Sequence, residues 1–276
     1  MSGTKSRYEP LAVAAISLAF AMTGCSPSVG GGADTLDQLF TGELEVIDLT
    51  HALSATMAYW PSPDGNPFRH DTLRAHSDGS PAMAAYFTPE HHGTHLDAPV
   101  HSAEGQLSVD RLTSDDLFGP AAVIDISVQS RADQDYRVTL ADVEAWELEH
   151  GPIPSGAIVL LYTGWADKYT DPVAYANLDD EGRLRFPGFS VEVAELLVNE
   201  RDIRGIGIDN LSIDYGLSRD YAVHGIVNGA GKYQLENVAN LGRVPAVGAY
   251  LIVAPIKIEG GSGGQVRIFA VLPSSS

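Results

Sequence analysis

The sequence predicts a single α/β domain with a mixed sheet. Short apolar runs rich in β-branched residues recur along the chain, two helices with their own caps fall between them, and the chain closes on two strand-like runs joined by a glycine-rich turn.

In chain order, Glu45 to Leu49 (EVIDL) reads as a first strand, Ala121 to Ile126 (AAVIDI) as another and Ala157 to Tyr162 (AIVLLY) as a third. Continuous apolar runs of this kind suit strands covered on both faces. Thr139 is placed to cap a helix, with Asp142 three residues on and Leu140, Val143 and Trp146 sharing a face. Ser190 caps a second helix, with Val193, Leu196 and Leu197 at helical spacing. Arg204 to Asp209 (RGIGID) reads as a short buried strand whose glycines admit neighbouring backbone closely. Ala249 to Ile258 and Gln265 to Leu272 suggest a terminal antiparallel pair around Glu259-Gly260-Gly261-Ser262-Gly263-Gly264. Neither glycine cluster is a phosphate loop. Gly205-Ile206-Gly207 lacks the third glycine of a dinucleotide loop, and no Lys-Ser/Thr follows Gly260 to Gly264.

Of the 276 residues, 44% are hydrophobic, which supplies one sizeable core. Acidic residues outnumber basic ones 36 to 17, for a net charge of −19. Such an excess repels phosphate backbones and anionic lipid heads, so nucleic acid is excluded as a partner. The single cysteine, Cys25, forms no intrachain disulfide. Before it stand Lys5 and Arg7, an apolar run from Leu11 to Met22, and Thr23-Gly24. A basic start, a short apolar middle and small residues describe a secretory signal, and the run is shorter than the roughly 20 residues of a spanning helix. A cysteine in this place resembles a bacterial lipobox. Residues 1–25 are therefore expected to be a lipoprotein-type signal peptide with Cys25 lipidated. Residues 26–40, with Ser26-Pro27-Ser28 and Gly30-Gly31-Gly32, are expected to be a flexible tether, and residues 41–276 the folded domain. The expected location is the cell envelope, on the periplasmic side of the outer membrane in a Gram-negative cell, with membrane contact through the lipid anchor only.

The chemistry is concentrated in His91-His92-Gly93-Thr94-His95-Leu96-Asp97-Ala98-Pro99-Val100-His101. Four imidazoles and a carboxylate this close together are costly to bury without a purpose. Neutral imidazole and carboxylate are the usual donors for zinc and harder divalent ions. Gly93 and Pro99 oppose a regular helix. An extended course places His91, His95, Asp97 and His101 on one side and turns His92 away. Much later in the chain, His224 and Glu236 are candidates for distal ligands from another strand or loop. No Gly-x-Ser-x-Gly elbow between a strand and a helix is present, since Gly260 to Gly264 joins two strand-like runs, and there is no cysteine beyond Cys25, which weighs against covalent catalysis.

The run HxGTHxDxPxH, filled by His91 to His101, resembles the signature of the cyclase-like metal-dependent amidohydrolases, a family that includes bacterial kynurenine formamidase and isatin hydrolase. Further segments match in family order: Asp48-Leu49-Thr50-His51, Thr163-Gly164-Trp165, Phe186-Pro187-Gly188, Gly207-Ile208-Asp209, Ser212-Ile213-Asp214, Glu236-Asn237, Pro255-Ile256-Lys257 and Gly260-Gly261-Ser262-Gly263. The resemblance implies a swivelling β/β/α fold and a homodimer. It implies that His91, His95 and Asp97 hold one metal and that Asp97, His224 and Glu236 hold a second. The ions would be Zn2+ or Mn2+, one or two per subunit. His101 becomes the proton donor and acceptor, and Trp60 an aromatic substrate contact. The implied reaction is hydrolysis of an amide C–N bond in a small arylformamide or cyclic amide by metal-bound hydroxide. Two alternatives stand beside it: lactone or ester opening at the same site, and a surface-anchored metal- or ligand-binding lipoprotein without turnover.

Overall fold

The computed structural model describes residues 37–39, 41–77 and 79–273. The expected signal peptide and Cys25 lie outside the described residues, as does most of the expected tether. Residues 37–39, within that tether, have helical backbone.

The described strands are β1 (Leu44–Asp48), β2 (Arg69–Arg74), β3 (Met83–Phe87), β4 (His95–Asp97), β5 (Phe118–Asp125), β6 (Arg137–Val138), β7 (Ile158–Tyr162), β8 (Gly188–Phe189), β9 (Gly205–Ile208), β10 (Tyr233–Glu236), β11 (Tyr250–Pro255) and β12 (Gly263–Pro273). Eight of them form one mixed sheet in the order β1-β12-β11-β5-β7-β9-β10-β4. The run β5-β7-β9-β10 is parallel, and the other neighbours are antiparallel. Strand β12 also pairs with β4, through Gly263↔Asp97, Gly264↔Leu96 and Gln265↔His95, so the sheet closes on itself. A β2–β3 hairpin stands outside this sheet, and β6 and β8 form a short parallel pair.

The apolar runs alternate between two cores because successive strand side chains leave on opposite faces. Ala121, Val123, Ile158, Leu160 and Leu235 fill the inside of the closed sheet, with Val253 and Ile268. Ala122, Ile124, Val159, Leu161, Ile206 and Ile208 face outward, where helices α1 (Leu140–His150), α2 (Val191–Glu200) and α3 (Ala222–Gly229) cover them. The expected caps are both in place. Thr139 Oγ1 accepts from the Asp142 N–H at 3.2 Å while the Asp142 carboxylate accepts from the Thr139 N–H at 2.8 Å. Ser190 Oγ accepts from the Val193 N–H at 3.2 Å. Val143 and Trp146 are buried, and Trp146 Nε1 donates to the Val123 carbonyl at 2.8 Å. Leu140 departs from the expected face and is 41% exposed. It is the first residue of α1 and lies a turn short of the part that rests on the sheet. A third cluster, with Met57, Trp165, Tyr169, Tyr175 and Phe186, packs beside the mouth of the site.

The glycines of β9 are required by its place between β7 and β10. A Cβ on Gly207 would lie 2.7 Å from Leu160 Cδ2 and 3.0 Å from Leu235 Cβ. Gly207→Val is therefore expected to destabilise the fold by about 1–3 kcal/mol. Urea unfolding followed by circular dichroism checks this, and an unchanged midpoint would contradict the close packing.

Candidate metal centre

Strand β4 is the pivot of the site. His95 and Asp97 are two residues apart and leave on the same face, while Leu96 points into the inner core. Glu236 on β10 stands directly opposite His95, which puts it on that face too. Gly93, at φ +68°, bends the chain ahead of β4 and returns His91 to the cluster. Pro99 begins a single turn of 3-10 helix, Pro99–His101, which delivers His101. The extended course expected across this segment is thus only three residues long, yet His91, His95, Asp97 and His101 still meet. His92 does not turn away as expected: it is buried and lines the same cavity, because the bend at Gly93 breaks the alternation.

Helix α3 supplies His224. Its cap, Tyr221, sits at φ +50°, a left-handed conformation costly for an aromatic residue. Asp214 orients the start of this helix and the histidine together. Its carboxylate accepts from the Val223 N–H at 3.2 Å, the His224 N–H at 3.1 Å and His224 Nδ1 at 2.7 Å.

The imidazoles point their free nitrogens at two buried carboxylates. His95 Nε2 lies 3.2 Å from Asp97 Oδ1 and 3.5 Å from Glu236 Oε2. His224 Nε2 lies 3.5 Å from Asp97 Oδ2 and 3.3 Å from Glu236 Oε1. His91 Nδ1 lies 2.5 Å from Asp97 Oδ1. The far nitrogens fix the tautomers. His95 Nδ1 is 2.9 Å from the Gly93 carbonyl, an acceptor only, so this nitrogen carries the hydrogen. His224 Nδ1 donates to Asp214 in the same way. Ser262 Oγ donates to Glu90 at 2.6 Å, which leaves it to accept from His91 Nε2 at 2.9 Å. In the neutral rings, three nitrogen lone pairs therefore face carboxylate oxygens. That arrangement is repulsive unless a cation or protons lie between them. A donor set of imidazole and carboxylate with each far nitrogen anchored is the pattern of a divalent metal site. The ligating atoms of His95, Asp97 and Glu236 lie within 4.8 Å of one another, as do those of His91, Asp97 and His101, with Asp97 common to both groups. The site residues thus fit one cation or two.

Without a cation, the charges settle on the histidines. Burial pushes the Asp97 carboxyl upward, but His95 and hydrogen bonds from His224, His91 and His95 outweigh it and hold the carboxyl well below its ordinary range. Burial opposes charge on His95 as well, yet Asp97 and Glu236 raise its pKa to about 9. His224 is also held well above its ordinary value, by Asp214, Asp97 and Glu236 against burial. The sign for stability follows. A folded pKa near 9 against about 6.5 unfolded gives His95 a stabilising effect that is complete below pH 6.5 and lost as the pH rises through 9. Chelator-treated protein is expected to lose melting temperature from pH 6.5 to 9. Cation uptake over the same range should strengthen by about tenfold per pH unit for each proton displaced. Calorimetry in buffers of different ionisation enthalpy checks both, and a pH-independent uptake would contradict the assignment.

His101 is tilted over His91, with ring centroids 3.9 Å apart. Burial, with help from His91 and His224, lowers its pKa below the ordinary value against the pull of Asp97. It is therefore a neutral base at pH 7, and its grouping with His91 and Asp97 puts it within ligating reach as well. Burial also lowers the pKa of His92 to about 4, with His95 adding to the effect. Above the centre opens a cavity of about 460 Å³, with Ala58, Tyr59, Trp60, Leu211 and Tyr221 on its apolar wall. Trp60 is 43% exposed and meets Phe186 edge-on at 6.5 Å.

Sequence reasoning singled out every residue of the donor set, but gave no role to Asp214, Ser262 or Glu90. Asp214 has a local signal, ten residues ahead of His224. Ser262 sits inside a glycine-rich turn that reads as the link between two strands, and Glu90 looks like any surface acid.

The "Putative cyclase" family model matches residues 47–215. The chain is 33% identical over 254 residues to isatin hydrolase of Roseibium aggregatum, covering 86% of this chain and 95% of that one. It is 25% identical to kynurenine formamidase of Salinibacter ruber, covering 81% and 96%. Isatin hydrolase A from Ralstonia solanacearum superposes with a TM-score of 0.82 at 32% identity, over 91% of this chain and 99% of that one. With its signature segment folded around a shared carboxylate and most of its length matched by these relatives, the chain belongs to the cyclase family.

Proposed function

We propose that the protein is a metal-dependent hydrolase that opens the amide C–N bond of a small, flat substrate, an aryl-fused cyclic amide or an arylformamide. One observation carries this reading: three tautomer-fixed imidazoles face two shared carboxylates at the floor of an aromatic-walled cavity. The names of the relatives, isatin hydrolase and kynurenine formamidase, support the bond type.

His91, His95, Asp97, His224 and Glu236 would hold the cation. When bound, a divalent ion polarises a carbonyl and lowers the pKa of water from 15.7 towards about 7. The chain's own residues do the rest. The Trp60 and Tyr221 rings flank a planar substrate and hold its carbonyl over the centre. His101, neutral and within the cavity, takes the proton released as water adds to the carbonyl carbon. It then returns that proton to the leaving nitrogen as the C–N bond breaks, giving a carboxylate or formate and an amine.

Elemental analysis followed by isatin and formylkynurenine assays with added Zn2+ or Mn2+ tests the reading. Cation-dependent ring opening of isatin is expected. A protein that holds its cation tightly and turns over neither amide nor ester would instead be a capture protein.

A further inference from the structure

Water and His101 can open an ester as readily as an amide, but one side chain on the cavity wall distinguishes the two. We propose that His92 selects substrates that carry an amide N–H: its Nδ1 accepts a hydrogen bond from that N–H, favouring secondary amides over lactones, esters and N-alkylated amides. The inference deepens the amide-hydrolase reading and rests on it.

The tautomer of His92 follows from its neighbour Asn66. Asn66 Nδ2 lies 3.3, 3.2 and 3.4 Å from the carbonyls of Ser54, Ala55 and Met57, and Asn66 Oδ1 accepts from the Phe68 N–H at 2.9 Å. The amide is thereby oriented with its oxygen towards His92. That oxygen only accepts, so His92 Nε2, 3.1 Å away, carries the hydrogen and donates it. No carboxylate lies against His92 among the described residues to stabilise a charged ring. The neutral ring leaves a lone pair on Nδ1. This atom has no partner among the described residues, although His92 is only 4% exposed and lines the cavity.

Nδ1 is therefore open to the cavity, where water holds the place of a donor until a substrate group takes it. The neighbouring amide of Asn237 is engaged elsewhere, one Nδ2 hydrogen going to the Gly93 carbonyl at 3.0 Å and its Oδ1 accepting from Tyr175 at 2.9 Å, and no hydrogen bond joins it to His92 among the described residues. A substrate N–H satisfies Nδ1. A lactone oxygen in the same place sets acceptor against acceptor, and an N-methyl group fills the place of the hydrogen.

The test compares kcat/KM for isatin and N-methylisatin in the metal-loaded wild type, His92→Phe and His92→Asn, with metal content measured for each. The wild type should prefer isatin. His92→Phe should lose about 10- to 100-fold on isatin and little on N-methylisatin, at unchanged metal content. His92→Asn, which keeps an acceptor oxygen near the position of Nδ1, should retain part of the preference. If His92→Phe does not fold, His92→Leu removes the same acceptor. Equal losses on both substrates, or a preference that survives loss of the acceptor, would overturn the role of His92 alone. A metal-loaded wild type that opens neither compound would overturn the amide reading, and this inference with it.

Discussion

Asp97→Asn is expected to empty the centre and stop turnover. Asp97 is buried at 1% exposure, and its two oxygens face all three ligand histidines of the centre. Asparagine offers one acceptor, carries no charge, and turns towards the centre an NH2 group that cannot ligate a cation and instead donates to an imidazole lone pair. Loss of an outer partner of a metal ligand costs 10- to 100-fold in affinity. Removal of the carboxylate common to both ligand groups should cost at least about 100-fold, the upper end of that range. Metal content after dialysis should fall below a tenth of the wild-type value, and activity with it. A variant that keeps its full metal complement would show that the ligands are arranged otherwise.

His101→Ala is expected to separate chemistry from metal binding. A positioned acid–base group contributes about 10²- to 10⁴-fold, so kcat should fall by that factor while the metal stays. The pH profile adds a second readout. The pKa of His101 lies below the ordinary histidine value, so the acid limb of kcat/KM should fall below about pH 6.5 and vanish in the variant. Because His101 is also within ligating reach of the His91 and Asp97 group, equal loss of metal and activity would mark it as a ligand instead.

Most of the sheet is legible in the sequence because β5, β7, β9 and β12 are largely buried apolar runs and β11 is an apolar run that is buried at alternate positions. Strands β4 and β10 are not, because their residues were selected for chemistry: His95-Leu96-Asp97 and Tyr233-Gln234-Leu235-Glu236 carry too few apolar positions to announce a strand. Both helices are marked by caps, yet Leu140 shows that a face read from spacing includes residues that overhang the sheet. The donor set is legible because four ligand-type residues crowd into one segment. Its supports are not, since Glu90, Asp214 and Ser262 act only through contacts made on folding. The place of His92 depends on one backbone angle at Gly93, which spacing does not encode.

Strand β4 is clasped on one edge by β10 and on the other by β12, which begins only at residue 263. A ribosome must therefore release nearly the whole polypeptide before the first ligands are enclosed. A stalled or clipped product ending before Ser262 lacks both the β12 edge against Asp97 and the hydroxyl that steadies the His91 imidazole. Cation binding is thereby tied to completion of the fold, since the last strand of the chain closes the free edge of β4.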